Sequence, residues 1–151
     1  MMNILFVCNA NSCRSPMAAA FFNHLCTQNK ITGVAAVSAG TQAEEGAPAS
    51  QLAVALMANL GVVIENHISR RVTAEMVSDC EAIFCMEKAQ LNELTKDFPE
   101  AKEKARLLLT LLDSKLGVED PVGGDDEMYQ QCFLNMMPAL AELSDRIIRS
   151  R

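Results

Sequence analysis

The chain has no tryptophan and a single tyrosine, and aromatic residues make up only 5% of it. It has no run of basic residues either: 13 lysines and arginines stand against 19 acidic residues, for a formal net charge of -6. A nucleic-acid surface needs a basic patch, commonly interleaved with aromatics, so that class of partner is excluded. No apolar stretch approaches the roughly 18 residues of a membrane span. The amino terminus carries no basic region ahead of its apolar run, and that run is too short for a secretion signal. These absences predict a cytoplasmic protein without a membrane span.

Half of the 151 residues are hydrophobic, enough for a real core, and the length predicts one domain over residues 1–151. Six cysteines (Cys8, Cys13, Cys26, Cys80, Cys85 and Cys132) raise the question of a disulfide scaffold. Several of them lie in apolar, periodic segments, where a buried free thiol is the simpler reading. A reducing compartment then keeps them as thiols.

Strand and helix signals alternate. Asn3 to Val7 is a nearly continuous apolar run, as in a strand covered on both faces. Ser15-Pro16 predicts a helix start, with an N-cap residue and a proline in the first turn, and the helix reaches about Thr27. Val34 to Ser38 reads as a second strand closed by Ala39-Gly40, and Ser50 as the cap of a helix ended by Gly61. Glu81 to Met86 is a third strand, Lys88 to about Leu94 a helix, and Arg106 to Leu109 a fourth strand. Gly117 to Asp126 is a loop. The last helix runs from about Glu127, with Pro138 expected to kink it. This order predicts an α/β fold with a parallel sheet and helices on both faces. Ligands of such sheets bind at the carboxyl ends of the strands, where Cys8 lies.

The segment Cys8-Asn9-Ala10-Asn11-Ser12-Cys13-Arg14-Ser15-Pro16 joins the first strand to the first helix. A loop that curls from strand into helix aims backbone N–H groups at its centre, and the helix dipole reinforces them. Residues 9 to 13 are short, so the loop can stay tight. Arg14 adds a planar fork able to bond two phosphate oxygens at once, which a lysine cannot. The same field favours a thiolate at Cys8, the attacking form of a cysteine nucleophile. Taken alone, the Cys8/Arg14 spacing also fits a strand-end thiol and a surface arginine. A leaving oxygen needs a proton, and Asp120, in Val118-Glu119-Asp120-Pro121-Val122-Gly123-Gly124, is the candidate acid. Glu119 competes with it locally, and Asp-Pro by itself also starts plain turns.

Several motifs occur in order along nearly the whole chain: Phe6-Val7-Cys8-x-x-Asn11-x-Cys13-Arg14-Ser15-Pro16, Ser38-Ala39-Gly40, His67-x-x-Arg70, Glu119-Asp120-Pro121 and Tyr129-Gln130-Gln131-Cys132. Together they resemble the low-molecular-weight protein-tyrosine phosphatases. The resemblance implies a four-stranded parallel sheet, a phosphate-binding loop after the first strand, and two-step hydrolysis through a phosphocysteine with no cofactor and no metal. It implies Cys8 as nucleophile, Arg14 as transition-state clamp and Asp120 as acid, then base. Asn9, Ala10, Asn11, Ser12, Cys13 and Ser15 would bind the phosphate of a phosphorylated protein, or another oxyanion. Asn11, Ser15, Ser38 and His67 would form the polar network that shapes the loop. Ser15 would also stabilise the leaving thiolate. His24 has no such support.

Four departures stand out. The family usually has glycine at Ala10, which would cost about 1 kcal/mol if the position requires positive φ. An acidic residue is common where Ala19 stands. Tyrosine-directed members carry aromatics where this chain has Val122 and Gly123. Ser12 and the Asp-Pro-x-Gly-Gly loop resemble the protein-arginine phosphatase branch. Phosphotyrosine remains the first reading, as the family's commonest activity, with phosphoarginine the alternative. A thiol-dependent arsenate reductase using Cys80 or Cys85 is a second alternative, although Glu87 stands where the usual reductase cysteine would be. A redox-sensing or phosphate-binding module, with Cys13 forming a disulfide to Cys8, is a third.

Overall fold

The Asn3–Val7 run forms the centre of the sheet. In the computed structural model, which describes residues 1–151, β1 (Met2–Cys8) pairs with β2 (Val34–Gly40) on one side and β3 (Ala82–Cys85) on the other. β4 (Ala105–Leu107) adds beyond β3, and all pairings are parallel in the order β2-β1-β3-β4. The helices are α1 (Arg14–Gln28), α2 (Gln51–Asn59), α3 (Ala74–Asp79), α4 (Lys88–Asp97) and α5 (Asp126–Arg149). The expected four-stranded parallel sheet, helix-covered on both faces, is present. No helix is long and apolar enough to cross a membrane.

Strand alternation divides β1 between two cores. Ile4, Phe6 and Cys8 face one side, with Met17 and Phe22 of α1, Met57 of α2, and Phe133 and Leu140 of α5. Leu5 and Val7 face the other, with Val77 of α3 and Leu94 of α4. The chain leaves β1 for β2 on one side and later returns to β3 on the other, so the ends of β1 and β3 flank the crevice of a doubly wound sheet. Residues 9–13 occupy it.

Some boundaries differ from expectation. Ser15 does not cap α1: the helix begins at Arg14 with Cys13 in the cap position, because the Ser15 hydroxyl is turned to Cys8 instead. Ser50 sits at the cap of α2, but its hydroxyl donates to Tyr129 Oη at 2.9 Å rather than capping. The fourth strand stops at Leu107, and Leu108–Leu112 winds into a 3-10 turn. α3 was not evident from periodicity; at six residues it shows little, although Thr73 caps it by accepting from the Met76 N–H. α5 runs on through Pro138.

Phe6 is fully buried, with its ring 5.8 Å from Phe84 and 6.1 Å from Phe22 between centroids. Phe6→Ala is expected to cost about 3–5 kcal/mol in denaturant unfolding; a loss under about 1 kcal/mol would show that this ring cluster does not organise the core.

Candidate active site

Because β1 alternates, its last residue turns the Cys8 side chain toward the α1/α5 side, at the mouth of the loop. The loop is tied down by three backbone bonds to two other segments. Thr41 N–H donates to Cys8 O at 3.0 Å, Gln42 N–H to Asn9 O at 2.8 Å, and Ser50 N–H to Ser12 O at 2.8 Å. Asn9 is exposed, Ala10 and Ser12 are half-buried, and Asn11, Cys13, Arg14 and Ser15 are buried. The glycine of Ser38-Ala39-Gly40 is required by contact: a Cβ at Gly40 would lie 2.5 Å from Asn9 O and 2.9 Å from Asn11 N. Nothing larger lets β2 lie this close to the loop.

The curl is made at Asn11, whose φ is +57°. Asparagine tolerates this left-handed conformation better than most residues. Ala10 is not among the positive-φ residues, so the strain expected there is absent. Asn11 Nδ2 donates to Ser15 Oγ and to Ser38 Oγ, each at 2.9 Å, and its Oδ1 accepts from the Arg70 N–H at 3.1 Å. Its carbonyl accepts from Ser69 Oγ and from His67 Nε2, each at 2.7 Å. The carbonyl can only accept, so His67 carries its proton on Nε2. Asn11, Ser15, Ser38 and His67 therefore meet as one network, and Ser69 joins it without any sequence signal. A cavity of about 680 Å³ opens behind this network rather than over Cys8, lined by Ser38, His67, Ser69 and Arg70.

Cys8 Sγ lies 2.9 Å from Ser15 Oγ and accepts from the Asn11 N–H at 3.3 Å. Both groups can donate to a sulfur anion. Arg14 is 2% exposed, so its charge needs partners. Nη1 donates to the Glu87 carboxylate and, at 2.8 Å, to Val118 O. Nη2 sits 3.5 Å from Asp120 Oδ2. Burial works against the guanidinium charge, but the Glu87 hydrogen bond and the nearby Cys8 and Asp120 outweigh it and hold the pKa above its ordinary value. Nε makes no hydrogen bond, and Nη2 has only the 3.5 Å contact with Asp120. Glu87 lies two residues past the end of β3, and that position at the strand's carboxyl end was the signal available in the sequence. Asp120 reaches the site because Val118 N–H bonds to Met86 O at 2.7 Å; its own Oδ1 accepts from the Val122 N–H at 3.0 Å.

All six cysteines are free. Cys13 lies in the same core as Cys8 and as Cys132 of α5. Cys80 and Cys85 belong to the core on the opposite face of the sheet from the Cys8 side chain. Burial pushes the Cys85 thiol up to about 12, with the Cys8 charge adding to it.

This strand–loop–helix cradle with a cysteine at its floor and an aspartate at its rim is that of a phosphatase fold. A family model described as low-molecular-weight phosphotyrosine protein phosphatase matches residues 3–151. The low-molecular-weight protein-tyrosine-phosphatase Etp of Escherichia coli is 30% identical over 147 residues, covering 97% of this chain and 95% of that protein. The protein-arginine-phosphatase of Geobacillus stearothermophilus is 32% identical over 145 residues, covering 95% of each. The solved structure of the arginine phosphatase YwlE, in a variant with a phosphorylated active-site serine, superposes with a TM-score of 0.94 at 26% identity, covering 99% of this chain and 98% of that one. The chain belongs to the low-molecular-weight phosphotyrosine protein phosphatase family.

Burial holds the His67 imidazole below its ordinary pKa of 6.5, against the Asn11 hydrogen bond and with help from the Arg70 charge. The unfolded chain thus binds the His67 proton more readily than the folded one. The stabilisation this gives is present above about pH 6.5 and is lost as the pH falls below it. Wild-type unfolding midpoints are expected to drop between about pH 7 and pH 5, more steeply than those of His67→Gln; equal slopes would remove His67 from the pH dependence.

Proposed function

We propose that this protein removes phosphate from phosphotyrosine in proteins, with the phosphoryl group carried on Cys8. What supports this most directly is the position of the Cys8 sulfur, 2.9 Å from Ser15 Oγ and 3.3 Å from the Asn11 N–H, in a loop that ends on a buried arginine whose Nε and Nη2 make no hydrogen bond. The Cys8 sulfur attacks phosphorus while the phenolic oxygen leaves with a proton from Asp120. Arg14, through Nε and Nη2, and the N–H groups of residues 9–14 hold the equatorial oxygens, where charge spreads in the transition state. Asp120, now a carboxylate, takes a proton from water as the water oxygen attacks the phosphocysteine. Cys8 departs as a thiolate stabilised by Ser15 and the Asn11 N–H, and phosphate is released. A cytoplasmic setting, where the free thiols stay reduced, belongs to this reading.

One specific feature favours phosphoarginine as a second reading. The residues after Asp120-Pro121 are Val122, 59% exposed, and two glycines, so no aromatic wall faces a phenol ring. Ser12 adds a small hydroxyl in the cradle. The same steps apply, with nitrogen as the leaving atom protonated by Asp120. Arsenate reduction finds no support in Cys80 and Cys85, which lie across the sheet, and the Asp120–Arg14 contact favours hydrolysis over pure sensing.

Cys8→Ser is expected to lower kcat by about three orders of magnitude or more. Arg14→Lys should lose roughly 100- to 1,000-fold despite keeping its charge. Asp120→Asn should slow phenyl phosphate by about 100-fold or more and p-nitrophenyl phosphate less, because the better leaving group needs less protonation. Equal rates of wild type and Asp120→Asn on phenyl phosphate would take Asp120 out of the mechanism. Side by side, phosphotyrosine peptide should be cleaved with a higher kcat/KM than phosphoserine peptide. A higher value on phosphoarginine peptide than on phosphotyrosine peptide would replace the first reading with the second.

A further inference from the structure

The cavity of about 680 Å³ behind the loop network has no part in the hydrolysis. It lies against β2, an edge strand of the sheet. Alternate residues of an edge strand turn their N–H and C=O away from the neighbouring strand, and these groups need other partners. At Ala36, the N–H donates to Asn23 Oδ1 at 2.8 Å and the carbonyl accepts from Asn23 Nδ2 at 2.9 Å. At Gly40, the N–H donates to Arg70 O at 3.0 Å and the carbonyl accepts from the Val72 N–H at 3.1 Å. Ser38, midway between them, faces the same way. Its carbonyl has one long bond, from Arg70 Nε at 3.4 Å, and its N–H meets no acceptor. Its hydroxyl accepts from Asn11 Nδ2, but the hydroxyl proton has no acceptor either, although the residue is only 7% exposed. Arg70 is in no ion pair, and its two Nη atoms make no hydrogen bond. An amide, a hydroxyl and a guanidinium thus meet at one cavity with donors to spare.

We propose that this cavity binds a small organic monoanion, a carboxylate on an apolar body, with the carboxylate held by the Ser38 N–H and hydroxyl and by the Arg70 guanidinium. A carboxylate has lone pairs for all three, and the arginine bond to it is charge-assisted. The walls call for the apolar part. Ala19 and Ala20 of α1 and Ala36 of β2 are short and leave room, and Ile64 adds apolar surface. Val63 and Ile68, 71% and 65% exposed, line the same cavity, so an apolar ligand takes both out of water. Glu45 limits the charge. It also lines the cavity, and its Oε1 accepts from the Arg71 N–H. One arginine with a carboxylate nearby favours one negative charge on the ligand over the two of a phosphate monoester. The cavity is therefore separate from the cradle, where Arg14 and the loop amides meet the phosphoryl group. The two share a wall: Ser38, His67, Ser69 and Arg70 line the cavity and also hold Asn11.

The test titrates the full-length protein with 4-phenylbutyrate at constant pH and follows the ring C–H signals of its two histidines by NMR. His67 lines the cavity and His24 does not, so the pair reports where the probe sits. The His67 signal should move more than that of His24, with a Kd at or below about 1 mM. The neutral isostere 4-phenylbutanamide should bind at least about tenfold more weakly, because it forfeits the charge-assisted bond. Arg70→Gln should weaken the acid at least about tenfold while leaving the amide within about twofold, which a merely disturbed fold would not do. Ala20→Leu, which fills the cavity, should abolish binding of both. Inorganic phosphate at about 10 mM should not displace the probe. No shift of His67 up to about 10 mM probe overturns the proposal. So do equal affinities for acid and amide, full acid binding in Arg70→Gln or Ala20→Leu, and displacement by phosphate. Should Arg70→Gln not fold, the acid–amide comparison, Ala20→Leu and the phosphate arm decide. None of these readouts needs hydrolysis, so this site and the proposed activity stand or fall separately.

Discussion

A loop that wraps an oxyanion must turn its backbone through a conformation that L-residues avoid, and here one asparagine takes that turn. The left-handed conformation of Asn11 costs about 1–2 kcal/mol in a residue with a Cβ. Against this stand hydrogen bonds from His67, Ser69 and Arg70 and others to Ser15 and Ser38. At about 0.5–1.5 kcal/mol net for each, they outweigh the strain together, although no single one does so securely. The same side chain fixes the Ser15 hydroxyl against the Cys8 sulfur. The shape of the anion cradle and the environment of the nucleophile are therefore set by one residue whose side chain faces away from the substrate.

Arg14 poses the opposite problem, a full charge in a site closed to water. Burying an unpaired ion costs several kcal/mol, so the guanidinium is paired before any substrate arrives. Glu87 and Val118 O take one nitrogen, and Asp120 stands 3.5 Å from the other. The pairing stabilises the ion and orients it, so little reorganisation remains for the reaction itself. The contact also ties the end of β3 and the acid loop to the first helix, three segments far apart in sequence.

What could be read from the sequence followed strong local signals. The buried run at Asn3–Val7, the thiol and guanidinium at the ends of its loop, and the long apolar stripe from Tyr129 to Ile147 all stand where periodicity and loop chemistry put them. Ser15-Pro16 misled by two residues because a residue that looks like a cap was already committed to Cys8. β4 is only three residues long and runs straight into a 3-10 turn, so its boundary carried no period to read. Cys13 was linked to Cys8 by nearness in sequence, as one alternative. Its place in one core with Cys132 comes from the packing of α1 on α5, which no local pattern encodes.

The sulfur of Cys8 also inherits its direction from a strand that pairs on both edges. Cys8 lies opposite Gly40 in β2, and Val7 opposite Cys85 in β3. A one-residue slip of β1 would point the side chain of position 8 into the α3/α4 layer and bring a residue with a Cβ against the loop in place of Gly40. The chemistry of the cradle and the hydrogen-bond ladder of the sheet are thus a single inheritance. Length changes are tolerable in the surface turns of this chain, but a single insertion or deletion between Met2 and Cys8 would disarm it even where the chain still folded.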